Sequence, residues 1–107
     1  MRFEQLIADI TPLTPGELRH WIEETWVRPT RESDTYFFSD VDVARVRMIC
    51  DIRYSCSVEE ETLPLVLSLL DQLYATRRTV RQLTDAVAEQ PDDIREAIFK
   101  LVSGNDE

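Results

Sequence analysis

Glycine and histidine are scarce in this chain, which has two glycines and one histidine in 107 residues. No glycine-rich loop is present to cradle a phosphate. A Ser-His-Asp or Cys-His machine would have to be built around His20, whose neighbours Arg19 and Trp21 bring no convergent partners, so His20 reads as a structural or surface imidazole. Cysteine is limited to Cys50 and Cys56, with five residues between them. Neither has the second pair or the nearby histidine that a tetrahedral zinc site needs. Cys50 reads as a buried reduced thiol and Cys56 as a semi-exposed one. No run approaches the roughly 20 apolar residues of a membrane span. The opening MRFEQLIADI carries Glu4 and Asp9 and lacks the apolar run of a signal peptide. The expectation is a cytoplasmic protein with no metal, no cofactor and no catalytic activity.

Basic residues are also few, 12 against 21 acidic, for a formal net charge of −9. Such a field slows approach to phosphate and attracts basic protein surfaces, so the expected partner is basic. The surplus is uneven. Residues 1–57 hold 7 basic and 10 acidic side chains, whereas residues 58–107 hold 5 and 11. With 43% hydrophobic residues, the chain has enough apolar material for one structural domain.

Three helix starts share a hydroxyl cap with an acid three residues on: Thr14-Pro-Gly-Glu17, Ser39-Asp-Val-Asp42 and Ser57-Val-Glu-Glu60. The first predicts a helix from Pro15 to about Glu24, with Leu18, Trp21 and Ile22 turned inward and Glu17, Glu23 and Glu24 exposed. Between Pro29 and Ser39, turn formers Ser33 and Asp34 precede the β-prone Thr35-Tyr36-Phe37-Phe38, which predicts a short hairpin whose aromatics pack on the helices. The second cap predicts a helix from Asp40 to about Tyr54. At 100° steps it carries two apolar stripes, Val41, Ala44, Met48 and Ile52 against Val43, Val46, Cys50 and Tyr54, as expected of a helix held between two layers.

The third cap predicts a long helix from near Val58 to about Glu89, with Pro64 tolerated in its first turns. A seven-residue pattern runs through Leu63, Val66, Leu70, Leu73, Arg77, Val80, Thr84 and Val87. Its first half reads as intramolecular core. Its second half, with Leu70, Leu73, Arg77, Val80 and Val87 as the seam, reads as a helix–helix contact, either within the chain or between subunits. A final helix begins at Pro91, with Asp92 and Asp93 at its positive end, and Ser-Gly-Asn-Asp-Glu is expected to fray.

Two families resemble these residues. MerR-type regulators place a helix, a proline-terminated turn, a wing and a second helix in the order seen from Leu18 to Tyr54. The bacterial chaperone modulators of the CbpM family are similar over nearly the whole chain, through LTPGELRHWIEETWVRP, FFSDVDVARVRMICDIR and LPLVLSLLDQLYATRRTVRQL. The pair Asp71-Gln72 before a long helix is the most specific element, and the helix after Pro91 is a departure from the family pattern. The resemblance implies a mainly α fold: a MerR-like winged helix-turn-helix with a short β-wing over 1–57, then a long helix and a short C-terminal helix over 58–107. It also implies a homodimer and a function, binding the J-domain of a DnaJ-like co-chaperone of the CbpA type and inhibiting its stimulation of Hsp70.

An inhibitor of a basic J-domain surface should present carboxylates around an apolar or aromatic anchor. Asp71 and the run Glu59, Glu60 and Glu61 supply charge, and Leu63, Tyr74, Trp21 and Trp26 are the candidate anchors. Each has a plainer reading, as a solvated helix residue, a charged helix start or core. The alternative function is a MerR-like DNA-binding regulator using Arg19, Arg28 and Arg31 on phosphates, beside Glu17, Glu23, Glu24, Glu32 and Asp34.

Overall fold

Two of the three expected capping devices close in a computed structural model, which describes residues 1–104. Helix α2 (Pro15–Glu23) starts where the Glu17 amide donates to Thr14 Oγ1 at 3.2 Å. Helix α3 (Asp40–Cys50) has the reciprocal pair: the Asp42 amide donates to Ser39 Oγ at 3.2 Å and the Ser39 amide to Asp42 Oδ2 at 2.9 Å. The third device does not form. Ser57 takes a left-handed φ of 57° and helix α4 (Leu63–Ala88) begins later than the expected Val58. Pro64 accounts for the shift, because it fits the first turn of a helix begun at Leu63, whereas inside a helix begun at Val58 it would have no N–H to offer the Glu60 carbonyl. Residues 59–62 make a turn instead, with the Thr62 amide donating to the Glu59 carbonyl at 2.9 Å.

An additional helix, α1 (Phe3–Asp9), precedes these elements and was not expected from the sequence. Seven residues are too few to show a helical period, and so short a helix depends on tertiary contacts. Leu6 is fully buried, the Phe38 amide donates to the Met1 carbonyl at 2.7 Å, and Arg2 bridges to Phe37. Helices α1 and α2 therefore form the helix-turn-helix, with α2 as its second helix. Helix α2 ends in a Schellman arrangement: the Trp26 amide reaches the Trp21 carbonyl at 2.9 Å and the Thr25 amide that of Ile22 at 3.0 Å. Thr25 sits at the left-handed position, φ 61°, where glycine is usual and a β-branched residue is strained.

The wing is a two-stranded antiparallel hairpin, β1 (Thr30–Glu32) and β2 (Thr35–Phe37), with Arg31 opposite Tyr36. Ser33 and Asp34, at φ 44° and 70°, give the two-residue turn the positive dihedrals that match strand twist. Its aromatics divide. Phe38 is buried and Tyr36 half-buried, but Phe37 is 51% exposed, contrary to the expectation that all would pack inward.

The expectation of a doubly covered α3 is also corrected. Its buried side chains are Val46, Ile49 and Cys50, a single face, while Val41 is 78% exposed and Ala44 is exposed. After Cys50 the backbone makes a π-helical turn, Asp51–Ser55. Such a turn adds a residue and changes helical phase, and so Ile52 and Tyr54 still reach the edge of the core.

The chain divides into two compact units, Met1–Leu67 and Ser68–Glu107. The boundary lies inside α4. The first unit holds the whole buried core, from Leu6 and Leu18 through Trp21, Phe38, Val46 and Ile49 to Leu63 and Leu67. Each such side chain contributes about 1.5–3 kcal/mol relative to exposure. The second unit consists of the rest of α4 and helix α5 (Asp92–Gly104), and among its described residues none is buried. Ser103 and Gly104, expected to fray, belong to α5; the remainder of that tail lies outside the described residues.

Candidate partner-binding surfaces

On the helix-turn-helix, α2 presents Arg19, His20 and Glu23 to solvent, followed by Glu24. Glu17 is less exposed than its sequence position implies. It is half-buried, accepts a 3.0 Å hydrogen bond from Thr14 Oγ1 and faces the interior groups Cys50 and Tyr54. Burial, then the Glu17 and Asp51 carboxylates, push the Cys50 thiol up to about 11. Burial and the same Glu17 carboxylate raise Tyr54 above the ordinary phenol range. Cys50 is therefore a neutral core thiol at physiological pH, and Cys56 is exposed.

The three arginines considered for DNA are all exposed, but two are already engaged. Arg19 lies over the Phe3 ring at 5.5 Å, and Arg31 lies over the Tyr36 ring at 5.8 Å and within 3.8 Å of Asp34. Exposed Glu23, Glu24, Glu32 and Asp34 stand on the same elements. The face where a duplex reader concentrates positive charge is therefore mixed, with acids at least as numerous as bases.

Of the residues considered for a protein partner, two are removed from the surface. Trp21 and Leu63 are fully buried, so neither offers an anchor in this conformation. Trp21 instead ties α2 to the segment before α4: its Nε1 donates to Glu60 Oε1 at 3.3 Å, and Arg53 Nε lies 3.9 Å from the same oxygen. Glu60 is thus half-buried and structural, separated in role from the exposed Glu59 and Glu61. Trp26 is half-buried, with His20 edge-on at 5.7 Å, and its carbonyl accepts from Arg45 Nε at 2.6 Å. In the second unit, Asp71 is exposed and Tyr74 is 41% exposed. Their i,i+3 spacing puts a carboxylate and an aromatic ring on one helix face.

Of the seam expected on α4, Leu73 and Val80 are exposed, Leu70 and Val87 are half-buried and Arg77 is solvated. The exposed aliphatic side chains of α4 are Leu65, Leu69, Leu73, Val80 and Leu83. From Leu69 onward, with Thr76 and Val87, they follow a 4-3 spacing. Beside this stripe, α4 and α5 enclose a groove of about 880 Å³ lined by Val80, Leu83, Val87, Ile98, Phe99 and Val102. Phe37, Val41, Phe99 and Val102 were not foreseen as surface residues; the 4-3 spacing and the Phe99–Val102 pair were the available signals for the last two.

Comparison with known proteins gives one match: residues 6–55 correspond to the MerR HTH family regulatory protein family. No curated protein and no solved structure matches the chain. Among the described residues, no helix is long and apolar enough to cross a membrane. The matched segment runs from α1 through the wing and α3 to the π-helical turn, so this part of the chain is similar to MerR-family helix-turn-helix regulators.

Proposed function

We propose that the chain is an acidic chaperone modulator of the CbpM type, which binds the J-domain of a DnaJ-like co-chaperone and limits its stimulation of an Hsp70-type chaperone. The observation that carries this reading is the charge of the winged helix-turn-helix. Its exposed Glu23, Glu24, Glu32 and Asp34 face solvent beside Arg19, Arg28 and Arg31, so a basic protein surface is attracted where a polyanion is not. The role is binding rather than catalysis. The contact set is Asp71 and Tyr74 on α4; steering by carboxylates sets the encounter rate and an aromatic anchor sets residence. The test is Hsp70 ATPase activity stimulated by the J-domain protein. Addition of this chain lowers the stimulation; unchanged stimulation at saturating concentration refutes the proposal.

A second reading, a MerR-like DNA-binding regulator, is favoured by the family match over residues 6–55. Three phosphate contacts from Arg19, Arg28 and Arg31 give a salt slope of about −2.7, so affinity falls about 40-fold between 50 and 200 mM salt. A gel shift at about 50 mM salt decides: retention of a duplex supports this reading, and no retention ends it.

A further inference from the structure

We propose that the cleft between the α1–α2 turn and the carboxyl end of α3 is a binding site for a primary ammonium group carried on a short alkyl stem. The cleft is a cavity of about 320 Å³ within the first unit, lined by Ile10 and Pro12 from the turn and by Cys50 and Tyr54 from the helix. Its volume falls in the range of small-ligand pockets. Both walls are fixed. Ile10 and Leu13 are buried, with the Leu13 amide donating to the Ile10 carbonyl at 3.0 Å, and Cys50 is 5% exposed. The π-helical turn brings Asp51 and Tyr54 to the second wall, and turns of this kind recur in helices at functional sites. The site uses no residue of the proposed J-domain contact and stands or falls apart from it.

The polar groups decide the charge of the ligand. Asp9, Arg47 and Asp51 line the same cavity and are exposed. At its floor the carboxylates dominate: Glu17 and Asp51 each act on the Cys50 thiol more strongly than the Arg47 guanidinium does, so the field there is negative. The carboxyl end of α3 and its π-helical turn adds the negative end of a helix dipole. An ammonium has three N–H donors and no acceptor, and the cavity offers it the carboxylates of Asp9 and Asp51 and the hydroxyls of Thr11 and Ser55. Tyr54 Oη is out of water and makes no hydrogen bond, although the Glu17 carboxylate lies near it, and a buried hydroxyl of that kind calls for a partner. The apolar flanks, Ile10, Pro12 and the Tyr54 ring, suit an alkyl stem better than a hydrated ion. Among the described residues no three acidic, thiol or imidazole groups are placed to hold a metal, and an anion would meet one guanidinium among carboxylates. A free alkyl amine and the lysine side chain of another protein share the chemistry that fits.

The experiment is an NMR titration of the full chain at about 50 mM salt, where screening is weak, following backbone amides as n-butylamine, Nα-acetyl-lysine amide or butyrate is added. The expected result is saturable shifts in residues 9–12 and 47–55 with the two amines, at a dissociation constant below about 10 mM, and none with butyrate. Tighter binding of n-butylamine assigns the site to a free amine and tighter binding of the blocked lysine to a protein side chain; either supports the proposal. Asp51→Asn weakens the binding at least about fivefold and Arg47→Gln strengthens it. Both side chains are exposed, and the amide spectrum itself reports that each variant is folded. No saturable shift from either amine at about 50 mM, butyrate binding as tightly as the amines, or an affinity unchanged by Asp51→Asn and Arg47→Gln overturns the proposal.

Discussion

Replacing Trp21 by Phe tests the link that fixes the second helix of the helix-turn-helix to the segment entering α4. Trp21 is fully buried and its Nε1 donates to Glu60 Oε1 at 3.3 Å. Phenylalanine removes roughly 40 Å³, which at about 24 cal/mol per Å³ of cavity costs about 1 kcal/mol. The lost hydrogen bond to a charged acceptor adds about 1–1.5 kcal/mol, the low end of its range because the Glu60 side chain is 33% exposed. The sum, about 2–2.5 kcal/mol, lowers the melting temperature by about 10 °C for a unit of this size. Chemical denaturation of Trp21→Phe, Glu60→Ala and the double variant forms a cycle whose coupling is about 1 kcal/mol. Coupling within about 0.3 kcal/mol of zero refutes the indole–carboxylate link, whatever the single variants cost.

Thr25→Gly stabilises the chain by up to about 1 kcal/mol, since glycine accepts φ 61° without the strain of a β-branched residue; a lower melting temperature contradicts the Schellman end of α2. One thiol, Cys56, reacts quickly with a disulfide reagent at pH 8 and Cys50 reacts only on unfolding, so rapid modification of two thiols per chain opposes the core position of Cys50. Because the Cys50 pKa rises from 9.0 to about 11 in the fold, the unfolded chain loses its proton first. The stability that depends on the neutral thiol is whole below pH 9 and is lost as pH rises to about 11, by on the order of 1–2 kcal/mol; Cys50→Ala flattens that part of the stability–pH curve, and an unchanged slope is the contrary result. Asp71→Arg, on an exposed stretch of α4, leaves the helical circular dichroism intact and weakens J-domain binding by tenfold or more; unaltered affinity moves the contact away from α4.

The local chemistry of helix starts was legible where it was self-contained. Thr14 with Glu17 and Ser39 with Asp42 carry their partners three residues away, and both caps form. Ser57 offered the same letters, but a helix started there would have placed Pro64 in its interior, where proline has no N–H for the helical ladder. Helix α1 was invisible because its stability comes from Phe38 and Phe37, far along the chain, rather than from its own seven residues. Two apolar stripes on α3 were read as two packed layers, yet apolar side chains also face water, and Val41 and Ala44 do. Periodicity located an apolar stripe on α4, and the exposed side chains add Leu69 and Leu83 to its Leu73 and Val80, since 3.6 residues per turn admits neighbouring seams that the pattern alone separates poorly. For the candidate site, Asp71, Tyr74, Glu59 and Glu61 lie where a partner can reach them. Trp21 and Leu63 do not, because a large apolar side chain reads alike as anchor and as core.

The central claim, that an acidic MerR-type scaffold serves a basic protein partner, is tested most directly by titrating the full chain with a purified J-domain at about 50 mM and 200 mM salt. The account predicts saturable binding at low salt that weakens as salt screens the exposed carboxylates. No binding at about 50 mM, or an affinity indifferent to salt, contradicts it.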